Sequence, residues 1–193
     1  MENFIRSKIQ DSINLKTKLL QDDKILTSVK NLVNDIITCY KNGGKVLWCG
    51  NGGSAADAQH LAAELSGRFY YDRPPLFSEA LHVNTSYVTA VANDYSYDVI
   101  YSRLIKAMGK KGDVLIGLST SGNSANVLKA LEEANNLGLI TAAFTGETGG
   151  KMKSLPKYLI NIPSSDTPRI QECHMILGHT ICEMAELNLF PKK

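Results

Sequence analysis

Residues 113–124 read Asp-Val-Leu-Ile-Gly-Leu-Ser-Thr-Ser-Gly-Asn-Ser, an apolar run that ends in a glycine and several hydroxyl side chains. The run at 114–118 lacks polar alternation, which is typical of a strand buried on both faces of a parallel sheet. A helical pattern follows at 126–137. A loop between the carboxyl end of a strand and the start of a helix exposes backbone N–H groups to an anion. The segment therefore predicts an α/β fold with an anion site at 119–124.

The rest of the chain repeats this alternation of short apolar runs and helical patterns. Strands are predicted at 45–49, 76–83, 113–118, 139–144 and 157–162, and helices at 3–20, 24–42, 55–66, 86–92, 96–108, 126–137 and 168–190. The pattern predicts one α/β unit at 43–193, with helices on both faces of a parallel sheet. The helical segment at 1–42 carries an apolar stripe, which packs either on this unit or on a neighbouring subunit.

Composition excludes several classes of protein. The chain has 193 residues, 44% hydrophobic and 21% charged, and a formal net charge of +2, which predicts one globular domain and no nucleic-acid partner. Its four cysteines form no CxxC pair, as expected in a reducing compartment. We see neither a signal-peptide core nor an apolar stretch of about 18 residues. These features predict a cytoplasmic protein with no membrane partner.

The loop at 119–124 offers the hydroxyls of Ser119, Thr120, Ser121 and Ser124. Several converging donors are what a phosphate dianion needs, and the following helix points its amino end at them. The loop lacks the lysine of the GxxxxGK[ST] motif, which argues against an NTPase. The alternative interpretation is a strand-to-helix turn with an ordinary serine cap.

A second glycine-rich loop, Gly50-Asn51-Gly52-Gly53-Ser54, follows the strand at 45–49. It matches the dinucleotide motif GxGxxG only in part, and no convincing acidic residue ends a second strand about 20 residues later. The sequence therefore predicts no nucleotide cofactor.

The helix after this loop places Asp57, His60, Glu64 and Arg68 on one face, at steps of three and four residues. His60 and Glu64 are spaced to share a divalent ion, and Glu64 is equally suited to act as a general base. A solvated face with a Glu64–Arg68 pair is the alternative.

The last helical pattern carries a buried stripe and a polar face. The stripe comprises Ile170, Cys173, Leu177, Ile181 and Met184, and the polar face comprises Glu172, His179, Glu183 and Glu186. The pattern therefore predicts that Glu186 lies on the face away from the buried stripe.

Four segments together resemble the SIS (sugar isomerase) domain family, and within it the isomerases of seven-carbon sugar phosphates. They are GNGGSAADAQHLAAEL at 50–65, VANDY at 91–95, GLSTSGNSANV at 117–127 and RIQECHMILGH at 169–179. The resemblance implies a five-stranded parallel sheet flanked by helices, a flavodoxin-like three-layer sandwich, and a homotetramer with active sites at subunit interfaces. It also implies conversion of sedoheptulose 7-phosphate into D-glycero-D-manno-heptose 7-phosphate, a precursor of ADP-heptose for lipopolysaccharide or capsule.

The resemblance also assigns roles to individual residues. It implies that Ser119, Thr120, Ser121 and Ser124 hold the phosphate, and that Asn51, Gly52, Gly53, Ser54, Glu64, Asn93, Asp94 and Gln171 contact the substrate. It implies one zinc ion per subunit, held by His60, Glu64, Gln171 and His179, with Glu64 and His179 as the acid/base pair. The sequence departs from some members at Pro168, where they carry an acidic residue. Any role of that residue would pass to Asp166 or be absent in this chain.

One implied set is difficult to build on a single helix. Gln171 and His179 are eight residues apart, or about 12 Å along a helix and about 80° around its axis. We therefore predict that Gln171 lies in a distorted first turn or that the zinc ligands come from different subunits.

The implied reaction moves a proton between C1 and C2 through an enediol, with Glu64 as the base and His179 as the acid/base partner at the oxygens. The rival hypothesis is a non-catalytic SIS module, either a sugar-phosphate sensor or a replication-initiation adaptor, which would need neither residue. Among enzymes, an arabinose 5-phosphate isomerase shares the scaffold but not the whole set of motifs.

Overall fold

The computed structural model describes residues 1–192. In this range five strands form one parallel sheet: β1 (Val46–Gly50), β2 (Ser78–Ala80), β3 (Val114–Ser119), β4 (Ile140–Thr145) and β5 (Tyr158–Asn161). The helices are α1 (Glu2–Leu20), α2 (Asp23–Lys41), α3 (Gly53–Ser66), α4 (Thr85–Asp94), α5 (Ile100–Met108), α6 (Ala125–Asn136) and α7 (Thr167–Leu189). Short 3-10 turns lie at Tyr97–Val99 and Gly150–Met152.

The strand order is β2-β1-β3-β4-β5, and β1 pairs with both β2 and β3. Opposite Trp48 of β1 lie Ala80 on one side and Ile116 on the other. The chain leaves β1 in one direction and β3 in the other, so the loops after these two strands diverge and open a crevice at the carboxyl edge. This sheet confirms the predicted five-stranded, flavodoxin-like α/β fold.

Two apolar clusters, one on each face of the sheet, form the core. Neighbouring strand residues point to opposite faces. Trp48 therefore packs with α2, α3 and α7, whereas Leu47 packs with α5 and α6. The indole N–H of Trp48 donates to the Ser78 hydroxyl over 2.9 Å, which satisfies this fully buried polar group. The result is a three-layer sandwich.

The two N-terminal helices differ in how they use their apolar residues. The Asp22 carboxylate caps α2 by accepting from the N–H groups of Lys24 and Ile25, and the apolar stripe of α2 is buried in the core. In contrast, α1 buries only Leu15 and Leu19. It exposes five large apolar side chains, Phe4, Ile5, Ile9, Ile13 and Leu20. These side chains form an exposed apolar face on α1.

Several predicted boundaries change. The strand predicted at 76–83 is only Ser78–Ala80, and Asn93 and Asp94 belong to the end of α4 instead of separating two helices.

None of the helices within 1–192 has both the length and the hydrophobicity needed to cross a bilayer. All four cysteines are buried free thiols.

Glu186 was predicted to lie away from the buried stripe of the last helix, but its side chain is fully buried and forms an ion pair with Arg73. The polar face of the last helix therefore does not extend to this position. Arg73 lies in an irregular segment, where helical periodicity gives no signal.

Candidate active site

The loop after β3 presents hydroxyl groups at the amino end of α6. Ser119 is buried at the last position of β3, and its Oγ lies 2.9 Å from the Oγ of Ser124. Ser124 occupies the N-cap position of α6, but its hydroxyl bonds that of Ser119 instead of capping the helix. The first N–H groups of α6 are thus left for an anion. Gly122 turns the loop with a φ of +66°.

A cleft of about 180 Å³ opens beside this loop. It is lined by Thr120, Ser121, Glu147, Thr148, Ser164, Ser165 and Thr167. The carbonyl of Thr120 accepts from the N–H of Gly146, and the carbonyl of Ser164 accepts from that of Glu147, so the three segments are tied together. The sequence predicted the first two lining residues. It gave no signal for Thr148, Ser164 and Ser165, because they come from irregular segments that only the fold brings here.

The loop after β1 is joined to the start of α6 by a pair of asparagines. Asn51 and Asn126 exchange two amide hydrogen bonds of 2.9 Å, and the Tyr97 hydroxyl donates to the Asn51 side-chain oxygen over 3.0 Å. Asn126 is almost completely buried. The sequence did not predict a role for Asn126: it shows an asparagine in an apolar first turn, but not that the side chain is buried against Asn51. The two loops therefore form one unit.

A second polar cluster lies on the adjoining faces of α3 and α7. The His60 Nε2 is 3.0 Å from the Glu64 Oε1 and 3.4 Å from the His179 Nε2. His60 is exposed, whereas Glu64 and His179 are half-buried. The Phe69 ring packs against the His179 ring, with 5.8 Å between centroids. We call His60, Glu64 and His179 the trio.

Close packing of the two helices brings the trio together. A Cβ at Gly178 of α7 would overlap the side chain of Leu61 of α3. The absence of a side chain at position 178 lets the helix axes approach there. His179, which follows Gly178, and His60, which precedes Leu61, then meet. The i, i+4 spacing in the sequence predicts the His60–Glu64 pair. It cannot predict His179, which lies 119 residues from His60.

Gln171 lies on α7 two turns before His179, the member of the trio on the same helix. The Gln171 amide packs against the backbone of Gly53, at the amino end of α3. Glu64 is eleven residues further along α3, or about 16 Å from that end. Gln171 belongs to the α-helix that spans Thr167–Leu189, so no distorted first turn shortens its separation of about 12 Å from His179. One chain therefore places Gln171 beside the glycine-rich loop and the trio two turns away.

The remaining predicted residues lie near the carboxyl edge of the sheet. Gly52 adopts a φ of +55° in the first loop, and Ser54 is buried beneath it. Asn93 and Asp94 are exposed at the end of α4, where the Asn93 amide donates to the Asp94 carboxylate over 2.9 Å. Asp166 is exposed at the start of α7.

Asp57 lies one turn before His60 on α3, and its Oδ2 is buried without a hydrogen-bond partner within residues 1–192. Burial raises the pKa of this carboxyl, and the nearby His60 partly offsets the rise. A partly desolvated acid beside the trio favours a nearby positive charge.

The trio has the donor set and the spacing of a zinc site. Its three ligand atoms lie within 4.8 Å of one another. Tetrahedral zinc with bonds of about 2.0–2.2 Å separates its ligand atoms by roughly 3.3–3.6 Å, close to the His60–His179 distance. Two imidazole nitrogens and one carboxylate oxygen leave a fourth position for another ligand. The trio thus fits a divalent metal such as zinc.

Comparison with known proteins identifies the family of the chain. Residues 11–146 match the SIS domain family. The chain is 50% identical over 193 residues to the phosphoheptose isomerase of Aneurinibacillus thermoaerophilus, covering 100% of this chain and 98% of the relative. The chain belongs to the phosphoheptose isomerase family of SIS domain proteins.

Solved structures of this phosphoheptose isomerase family share the fold almost completely. The structure from Neisseria gonorrhoeae superposes with a TM-score of 0.89 at 39% identity, covering 96% of this chain and 98% of that one. The structure from Francisella tularensis superposes with a TM-score of 0.90 at 33% identity, covering 95% and 96% of the two chains. Membership in the family therefore rests on both sequence and structure.

Proposed function

We propose that the chain is an aldose–ketose isomerase that converts sedoheptulose 7-phosphate into D-glycero-D-manno-heptose 7-phosphate. The observation that carries the proposal is the presence of both the hydroxyl-rich loop and the trio in a chain that is 50% identical to a protein named phosphoheptose isomerase. A non-catalytic sugar-phosphate sensor needs the loop but not the trio. The product is a suitable precursor for ADP-heptose.

In this proposal the substrate is anchored by its phosphate. The hydroxyls of Ser119, Thr120, Ser121 and Ser124 and the first N–H groups of α6 surround the phosphate oxygens. Glu147 also lines the cleft, and its negative charge disfavours a phosphate placed next to it. The polar groups of Asn51, Gly52, Gly53, Ser54, Asn93 and Asp94 are assigned to the sugar hydroxyls.

The chemistry needs a base at carbon and a proton carrier at oxygen. Glu64 removes a proton from C1 of the ketose, which leaves an enediol, and returns a proton to C2. His179 moves a proton between the C1 and C2 oxygens, so that the C2 carbonyl becomes a hydroxyl and C1 becomes the aldehyde. The Nε2–H of His60 donates to the Glu64 carboxylate, and the same nitrogen lies 3.4 Å from the Nε2 of His179, so His60 holds the carboxylate next to the second imidazole.

Zinc is the metal that we propose for the trio, with Gln171 of a neighbouring copy as a further ligand. When bound, the ion would supply polarisation of the substrate carbonyl and stabilise negative charge on oxygen. A carboxylate that binds zinc is a weaker base. We therefore assign the ligand and base roles of Glu64 to different states of the site.

We also propose that the working enzyme is a homotetramer with active sites between subunits. In one chain Glu64, the proposed base, is about 16 Å along α3 from the amino end of that helix, where the glycine-rich loop would hold the substrate. A neighbouring copy must therefore bring its trio to this loop, or its loop to this trio. The apolar face of α1 supplies surface for such an association.

The test is turnover by the purified protein on a panel of ketose phosphates with five, six and seven carbons, followed by NMR. We expect isomerisation of the seven-carbon substrate alone, with about one zinc per subunit measured on the same sample. Turnover of a shorter substrate at an equal or higher rate, or of none, would contradict the proposal.

Glu64→Gln tests the assignment of the base. It should lower kcat about 10²- to 10⁴-fold, because the amide cannot accept the proton, while binding of the sugar phosphate persists. Glu132→Gln removes an exposed carboxylate from α6 and serves as the matched control, with kcat expected to stay at the wild-type value. Retained turnover in Glu64→Gln would contradict the role of the base.

A further inference from the structure

The buried ion pair between Arg73 and Glu186 lies outside the residues to which a role has been assigned. The Arg73 Nε is 3.0 Å from the Glu186 Oε1, and each side chain is only 1% exposed. A buried ion pair is weak grounds for stability, because the loss of hydration offsets much of the attraction between the charges. Its position in the fold therefore needs another explanation.

The guanidinium of Arg73 closes the carboxyl end of α3. Nη2 donates to the carbonyl of Glu64 over 2.9 Å, and Nη1 donates to the carbonyls of Leu65 and Gly67 over 2.8 and 3.1 Å. The last carbonyls of a helix have no partner within the helix, so a side chain that binds them fixes the last turn. Arg73 thus holds the backbone of the residue that we assign as the base.

The carboxylate of Glu186 holds the other side of the trio. It accepts from the N–H groups of Phe69 and Tyr70 over 2.9 and 2.8 Å. Phe69 is the residue whose ring packs against His179. On α7, Glu186 lies seven residues after His179, which is two turns along the same side of the helix.

We propose that Arg73 and Glu186 act together as positioning residues that fix Glu64 and His179 relative to each other. One ion pair joins the end of α3, the segment that contains Phe69, and α7, which are the three elements around the trio. This inference rests on the proposed function. Neither side chain is required to touch the substrate.

The matched control is the other buried ion pair, between Lys45 and Asp113. Its Nζ–Oδ2 distance is 2.6 Å, and the two side chains are 15% and 3% exposed. Asp113, like Glu186, also accepts two backbone N–H groups, those of Lys45 and Lys110. This pair precedes β1 and β3, at the amino edge of the sheet and away from both loops and the trio.

The experiment compares Arg73→Met with Lys45→Met at a temperature at which both variants are folded, checked by circular dichroism and gel filtration. We expect kcat to fall 10- to 100-fold in Arg73→Met, because displacements of about 1 Å between reacting groups cost rates of this size. KM should change less than about threefold, because the phosphate loop is untouched. Lys45→Met should keep the wild-type kcat. Arg73→Lys should not restore the rate, because one ammonium cannot replace the fork of guanidinium donors.

Glu186→Gln and its control Asp113→Asn test the same positioning role and preserve side-chain volume. They provide the test if Arg73→Met does not fold. We expect the same contrast in kcat. A wild-type kcat in the folded Arg73 or Glu186 variant, or an equal loss in its control, would overturn the inference.

Zinc affinity, measured by competition with a chromophoric chelator, separates this inference from the proposed function. We expect binding at least 10-fold weaker in Arg73→Met than in wild type, and unchanged in Lys45→Met. If the wild-type protein fails to isomerise the seven-carbon substrate, the proposed function fails. Equal zinc affinity in wild type and Arg73→Met would then overturn the positioning role independently.

Discussion

The backbone of Gly178 in α7 lies against the side chain of Leu61 in α3, so closely that a Cβ at position 178 would overlap both δ-carbons of the leucine. This contact sets the distance between the two helices next to His60 and His179. The trio is therefore a product of helix packing as much as of the residues that compose it.

Gly178→Ala should separate the trio without removing any of its members. Overpacking costs about 1–3 kcal/mol, and the better helix propensity of alanine returns about 1 kcal/mol, so the net loss of stability is small. We expect kcat to fall at least tenfold and zinc affinity to fall with it. Ala134→Val enlarges a fully buried residue of α6 on the opposite face of the sheet and should leave both quantities unchanged. Steady-state kinetics and zinc titration of the two variants provide the check.

Asn126→Ala should uncouple the two loops at the carboxyl edge. It removes both hydrogen bonds to Asn51 and leaves that amide short of partners, which costs about 1–3 kcal/mol. We expect KM for the sugar phosphate to rise and the free energy of unfolding to fall. Asn135→Ala, at the other end of α6, also removes two side-chain hydrogen bonds. It should lower the free energy of unfolding but leave KM unchanged. A KM that rises equally in both variants would contradict the coupling of the loops.

Ser124→Ala should weaken binding with little effect on the chemical step. A hydrogen bond to a charged group contributes about 1.5–3 kcal/mol, which corresponds to a KM at least tenfold higher. We expect kcat to stay within about twofold of wild type. The control Ser102→Ala removes a hydroxyl of α5 that bonds only the nearby carbonyl of Val99. If kcat falls while KM is unchanged, the loop does not hold the phosphate in the way proposed.

His174 should make the fold sensitive to acid. Burial lowers its pKa from 6.5 to about 4, although its hydrogen bond to the carbonyl of Thr145 partly opposes this. As the pH falls from about 6.5 to about 4, the unfolded chain binds a proton that the folded chain cannot, so the free energy of unfolding falls by about 1.4 kcal/mol per pH unit.

His174→Gln should remove this dependence, because the amide does not titrate yet still donates to the carbonyl of Thr145. Urea unfolding of both proteins between pH 4 and 7 measures the effect. We expect the curve of the variant to be flatter in that window. Parallel curves would show that His174 contributes no acid sensitivity.

The sequence predicted the parts of the molecule that are local in the chain. The apolar runs predicted where each strand lies in the chain, although not the order of the strands in the sheet. The spacing of His60 and Glu64 predicted that they share one helix face. Residues paired by the fold were beyond reach: Asn126 with Asn51, and Glu186 with Arg73. A helical pattern defines which residues share one helix face, but not which face meets another helix, nor which residues of irregular segments are brought there.

The distance between the trio and the hydroxyl-rich loop within one chain has a genetic consequence. If each catalytic centre draws its parts from two polypeptides, a Glu64→Gln chain and a Ser124→Ala chain that are each defective can share one oligomer. At some subunit interfaces of that oligomer, the Ser124→Ala chain supplies an intact Glu64 and the Glu64→Gln chain supplies an intact serine loop. Co-expressed from two alleles, such chains would restore some sites of wild-type composition. The Glu64→Gln allele alone lacks the base at every site, and the Ser124→Ala allele alone binds the sugar phosphate more weakly at every site.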